Sequence, residues 1–256
     1  MTSLRRSALV AGVFYLITFI SSIPAWFLLQ PVLSNPEYVV SAGADTQVTF
    51  GAFLDLVTAF AGIGTAVALY SVVKRQHEGF ALGFVTTRLV EGAVILIGAV
   101  SLLAVVSLRQ AAPAAGEAGS MIAAGRALVA VHDWTYLFGP GLMPVLNALM
   151  LGTVLYRSRL VPRIIPALGL IGAPLLFSST IGTMFGVNDT QSAWTGVATM
   201  PIFFWELSVG LWMTFKGFNR FAPAALAHAA AEDAKQEGSL PALAPAATAA
   251  PAAGTA

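Results

Sequence analysis

Three charged residues lie inside long apolar runs: Arg88 and Glu91 within residues 80–106, and Glu206 within 197–215. A charge at the centre of a bilayer costs roughly 2.5–3.5 kcal/mol on insertion scales, so such groups are expected to face one another rather than lipid. Arg88 and Glu91 are three positions apart and share a helix face. At a rise of about 1.5 Å per residue from the nearest basic flank, Arg88 is about 12 Å deep, Glu91 about 16 Å and Glu206 about 14 Å. These depths define one polar layer, Arg88, Glu91 and Glu206, near mid-membrane. One guanidinium facing two carboxylates leaves a negative charge unbalanced. One glutamate is therefore expected to hold a proton at neutral pH. Two readings follow. The layer is a proton-coupled site or relay, or it is a buried Arg–Glu–Glu knot that fixes helix order.

A second polar group is expected at the opposite surface. Asp55 is about 27 Å from Val73 along a helix, and His132, Asp133 and Tyr136 open the fourth apolar run. Adjacent His132 and Asp133 cannot face each other on a helix. Zinc needs three or four ligands, and the other histidines, His77 and His228, fall in a turn and in the tail. No metal site is expected. An interfacial helix start accounts for this group as well, with Asp133 near a helix N-terminus and Trp134 and Tyr136 in an aromatic belt.

Other chemistry is hard to place. Cysteine is absent, which excludes disulfides, thiol catalysis and zinc–thiolate sites. There is no G-x-S-x-G, no H-E-x-x-H and no phosphate-cradling loop. Ser178, Ser179 and Thr180 read as close-packing residues. No residue pattern calls for a cofactor. No basic block with interleaved aromatics points to nucleic acid.

These residues need elements to hold them. Of 256 residues, 57% are hydrophobic and 10% charged, and mean hydropathy is +0.80. Soluble domains carry about 25% charged residues, so the solvent expected here is a lipid bilayer. A run of about 20 apolar residues spans it as a helix. Six such spans are expected, at about 7–29, 51–73, 80–106, 127–156, 164–185 and 197–215. The first exceeds the 7–15 residues of a signal-peptide core and reads as an uncleaved span, kinked by Pro24. Gly62 and Gly64 suggest a closely packed face in the second. The fourth is too long for a straight crossing. Gly139, Pro140, Gly141 and Pro144 are expected to kink or break it. The fold expected is an all-α bundle over residues 1–220, followed by a disordered Ala- and Pro-rich tail over 221–256.

The basic residues set an orientation. Arg5, Arg6, Lys74, Arg75, Arg157, Arg159, Arg163, Lys216 and Arg220 flank one end of the spans, and only Arg109 and Arg126 flank the other. The positive-inside rule then places both termini in the cytoplasm.

Four segments carry a resemblance. TRLVEGAVILIGAV at 87–100, the start of the fourth span at His132–Tyr136, LGTVLYRSRLVPRIIPALGLIG at 151–172 and FFWELSVGLWMTFKGF at 203–218 resemble the bacterial membrane family catalogued as domain of unknown function 4386. The likeness covers residues 7–220. It implies a multi-pass protein of the bacterial inner membrane. It implies no activity, substrate or catalytic residue, so no residue role is carried over.

Two classes of function remain open. A proton-coupled transporter of a small solute needs a midplane site beside an interrupted helix, which Glu91, Glu206 and the 139–144 segment offer. A structural or partner-binding membrane protein needs no such features, but would be expected to present a large loop or domain. An intramembrane enzyme is the least supported, for want of a nucleophile with a placed base. Ligand identity and oligomeric state are not legible in the residues.

Overall fold

The computed structural model describes residues 3–111, 118–219 and 221–222. The tail expected over 221–256 falls almost wholly outside the described residues. Among those described there is no strand, and six helices are long and apolar enough to cross a membrane. We number them α1 (Ser3–Ser34), α2 (Asp45–Lys74), α3 (Glu78–Gln110), α4 (Ala118–Ser158), α5 (Ile164–Met184) and α6 (Ala193–Phe215). In hydrocarbon a helix satisfies its own backbone polar groups, which open strands cannot do. The outward faces are apolar: Ile20 is 72% exposed, Val67 65%, Val100 64% and Val197 61%. Large apolar side chains this exposed on four of the six helices are unusual for a protein facing water.

Each helix packs against the next, and α6 returns to α1, so the six form a closed ring. A large apolar core fills the end of the ring that carries the turns at 75–77 and 159–163, with Tyr15, Phe84, Leu151, Trp205 and Met213 at its centre. A smaller core of Leu29, Val32, Tyr38, Val48 and Leu102 lies toward the other end. The first of these ends is closed by the chain's beginning. Arg5 donates to the Met213 and Thr214 carbonyls, each at 2.8 Å, which places a cation on the last carbonyls of α6.

Several expected boundaries move. The connection expected over 30–50 narrows to 35–44, because Asp45 begins α2, where an acidic side chain suits the helix N-terminus. The connection expected over 107–126 shortens from both sides, as α3 reaches Gln110 and α4 starts at Ala118. Both helices overrun their apolar cores, since polar residues need only leave the hydrocarbon and need not leave the helix. Gly64 packs against Phe14, whereas Gly62 faces the Arg88 guanidinium.

The fourth span is not broken. Its chain stays helical from 118 to 158, but two stretches widen into π-helix, Leu137–Leu142 and Ala148–Gly152. Pro140 has no N–H to give to the regular ladder. The π turn absorbs that missing bond without ending the helix. The Gly141 carbonyl is taken up by the Thr180 hydroxyl of α5 at 2.9 Å.

Candidate functional site

The polar layer expected near mid-membrane is assembled from four helices of the ring. α3 supplies Arg88 and Glu91, one helical turn apart and both buried, at 4% and 8% exposure. Arg88 Nη1 donates to Glu91 Oε2 at 3.1 Å. Arg88 Nη2 donates to Glu206 Oε1 of α6 at 2.5 Å and to the Tyr15 hydroxyl of α1 at 3.2 Å. The guanidinium also lies over the Tyr15 ring, 5.2 Å from its centroid, and over the Phe84 ring at 5.8 Å. A cation desolvated between aromatic faces and carboxylates is stabilised by both. Its Nε–H is buried and has no partner among the described residues.

α4 contributes a residue that sequence reasoning passed over. Asn147 is 2% exposed. Its Nδ2 donates to Glu91 Oε2 at 2.7 Å, while its Oδ1 accepts from the Thr87 hydroxyl at 2.5 Å. Asn147 ends the five-residue α-helical stretch Met143–Asn147 between the two π turns. The turn before it therefore sets the direction in which it points. A carboxamide within an apolar helix was a signal available in the sequence. Tyr15 was not, because a single tyrosine in a first span reads as well as an interfacial anchor.

α3 and α6 are opposite members of the ring and do not pack along their lengths. The expectation that the third span packs against the sixth is therefore corrected: Arg88 and Glu206 meet by side chains reaching into the centre. Close approach of α6 to α1 helps bring Glu206 in. A Cβ on Gly210 would lie 2.9 Å from the Tyr15 Cβ, and one on Gly12 would lie 2.5 Å from the Thr214 nitrogen. Neither position accepts a side chain without moving the helices.

The second polar group is divided by the structure. His132 is buried against Gly98 of α3. Half-buried Asp55 is within electrostatic reach of His132 and of Tyr136. The Tyr136 ring stacks 6.1 Å from His132 and lies tilted against Trp26 of α1 at 5.6 Å. Asp133 turns outward, yet against expectation its carboxylate comes within 3.4 Å of the neighbouring His132 Nδ1. It lines a cleft of about 380 Å³ with Arg126, Val129 and Tyr38. Among the described residues no three His, Asp or Glu side chains converge as metal ligands.

Nearby, an ion pair joins the start of α2 to the end of α3, within stretches expected to be connections. Arg109 of α3 grips Asp45 of α2 through Nε at 2.6 Å and Nη2 at 2.7 Å, a bidentate geometry that fixes direction as well as charge. The Tyr38 hydroxyl donates to the same carboxylate at 2.9 Å. Burial, reinforced by that bond, pushes the Tyr38 pKa up to about 12. Tyr38 therefore stays a donor across the ordinary pH range.

A family model described as Domain of unknown function (DUF4386) matches residues 10–217, the whole ring. No curated protein matches the chain, and no solved structure does.

Proposed function

The chain belongs to the family described as domain of unknown function (DUF4386), and from its centre we propose a proton-coupled transporter of a small solute. The observation that carries this reading is Arg88 shared between Glu91 and Glu206 at the middle of a six-helix ring. One cation cannot neutralise two carboxylates. Protonating either glutamate frees Arg88 to favour the other, and so shifts the attraction between α3 and α6. An exchange of this kind couples proton binding to a change in helix position, the bistable element that coupled transport requires. Glu91 and Glu206 are the proton-exchanging groups in this reading, Arg88 their shared counter-ion, and Asn147 the residue that holds Glu91. The π turns of α4 stand in for an interrupted helix beside the site, as departures from the regular ladder without a break, and such turns recur where helices do work. Asp55, His132 and Tyr136 form the polar entry on the opposite side from the basic turns. The protein resides in a bacterial inner membrane with both termini cytoplasmic, a reading supported by the unequal distribution of Lys and Arg.

A second reading has its own support. The same contacts tie α1, α3, α4 and α6 together, as a purely structural knot would. Metabolite profiling separates the two. A deletion strain of the source organism is complemented with the unchanged gene or with Glu206→Gln, at equal membrane levels. Coupled transport predicts that Glu206→Gln leaves the deletion's metabolite profile uncorrected. Full correction by Glu206→Gln would rule out a proton-exchanging role for that residue.

A further inference from the structure

On the lipid-facing side of the ring, a groove of about 430 Å³ runs between the start of α5 and the end of α6. Pro162, Ile164, Ile165 and Leu211 make it apolar, and Ile164 is 69% exposed. Three polar side chains also line it: Ser208, Trp212 and Lys216. They recur every four residues on α6, along one face. None has a side-chain hydrogen bond or ion pair among the described residues, and the Trp212 Nε1–H is buried without an acceptor among them. At membrane depth, an unmet donor costs free energy that water cannot restore.

The rim of the groove is cationic. The Asn219 amide donates to the Leu160 carbonyl at 2.8 Å, binding the turn at 159–163 to the chain just beyond α6. This holds the turn that carries exposed Arg159, and Arg163 with its guanidinium over the Tyr156 ring, against the residues that follow Lys216. No acidic residue occurs over 157–163 or over 207–219. A ligand for this groove must therefore be apolar in its body, carry hydrogen-bond acceptors a few ångströms in, and end in a negative charge.

We infer that the α5–α6 groove is a binding site for an anionic phospholipid. Lys216 takes the phosphate, with Arg159 and Arg163 supplying the surrounding positive field. The spacing of four residues sets Trp212 about 6 Å deeper, at the level of the ester carbonyls; its indole N–H, buried in the lipid-free protein, donates to them once the ring rotates toward the groove. An acyl chain lies along Ile165 and Leu211. The site is separate from the central Arg88 layer and does not depend on the transport reading.

Native mass spectrometry of the full chain in mild detergent tests this, with phosphatidylglycerol and phosphatidylcholine of matched acyl chains as probes. The unchanged protein should retain one phosphatidylglycerol in preference to phosphatidylcholine. Lys216→Gln should weaken phosphatidylglycerol retention by about fivefold, the worth of one basic side chain at an anionic surface. Trp212→Phe should weaken both lipids alike, since the ester contact ignores the headgroup. Lys74→Gln, a basic flank elsewhere, should change nothing. Equal retention of the two lipids, an unaltered Lys216→Gln or Trp212→Phe, or an equal loss with Lys74→Gln would overturn the assignment. So would a dimer of the chain that forms in place of the lipid adduct.

Discussion

Arg88 and Glu206 are 118 residues apart in the chain, stand on opposite helices of the ring, and meet at 2.5 Å. Arg88 bonds Glu91, Glu206 and Tyr15 together. Removing it leaves two carboxylates uncompensated. Breaking a buried pair on one side costs about 3–5 kcal/mol, whereas apolar replacement of a whole set can be neutral. Arg88→Leu should therefore lower the yield of monodisperse protein sharply. Adding Glu91→Leu and Glu206→Leu should recover much of it, read by size-exclusion chromatography and thermal melting. A triple variant no better than Arg88→Leu would mean that charge imbalance is not what destabilises the single change.

Tyr15 separates hydrogen bonding from packing. Its hydroxyl is one of two acceptors on Arg88 Nη2. Tyr15→Phe keeps the ring under the guanidinium and should cost about 1 kcal/mol. Tyr15→Ala opens a cavity in the main core and should cost about 3–5 kcal/mol. Melting temperatures of the two variants in one detergent check the order; near-equal losses would refute it.

The π turn at Leu137–Leu142 predicts a separation of folding from function. With Pro140→Ala and Pro144→Ala the missing N–H donors return, and the stretch can adopt the regular ladder. Each residue of an α-helix turns about 100°, so losing the wide turn swings Asn147 away from Glu91. The double variant should remain folded and fail to complement a deletion strain. Full complementation would show that the π geometry is dispensable.

Tyr38 gives a pH signature outside the spans. Its pKa in the folded protein is pushed up to about 12 by burial and by the bond to Asp45, against about 10 when unfolded. Between those values the unfolded chain has lost the proton and the folded chain keeps it, so stability falls as pH rises. The melting-temperature gap between the unchanged protein and Tyr38→Phe should be constant up to about pH 10 and shrink above it. A gap that widens with alkali would contradict the sign.

The orientation is tested by fusions after Arg220. Alkaline phosphatase placed there should be inactive, and green fluorescent protein should fluoresce. Active phosphatase would reverse the proposed topology.

Composition and run length alone determined that this chain is a six-span helical bundle, because hydrocarbon leaves the backbone few other solutions. That Arg88, Glu91 and Glu206 lie at one level was also legible, since helical rise converts residue count into height. Height carries no information about azimuth. Only the closed ring decided that α3 and α6 face each other across a centre, that Tyr15 and Asn147 complete the layer, and that Asp133 turns away from Asp55. The proline-rich stretch of α4 shows the same limit. Local chemistry signalled a lost hydrogen bond but not whether the helix breaks or widens into a π turn, and not that the Thr180 hydroxyl of a neighbouring helix takes up the Gly141 carbonyl there. Asp45 and Arg109 read as loop residues because their polarity marks the edge of the hydrocarbon. Their pairing across two helix ends is a tertiary contact 64 residues apart in the chain, which no local pattern encodes.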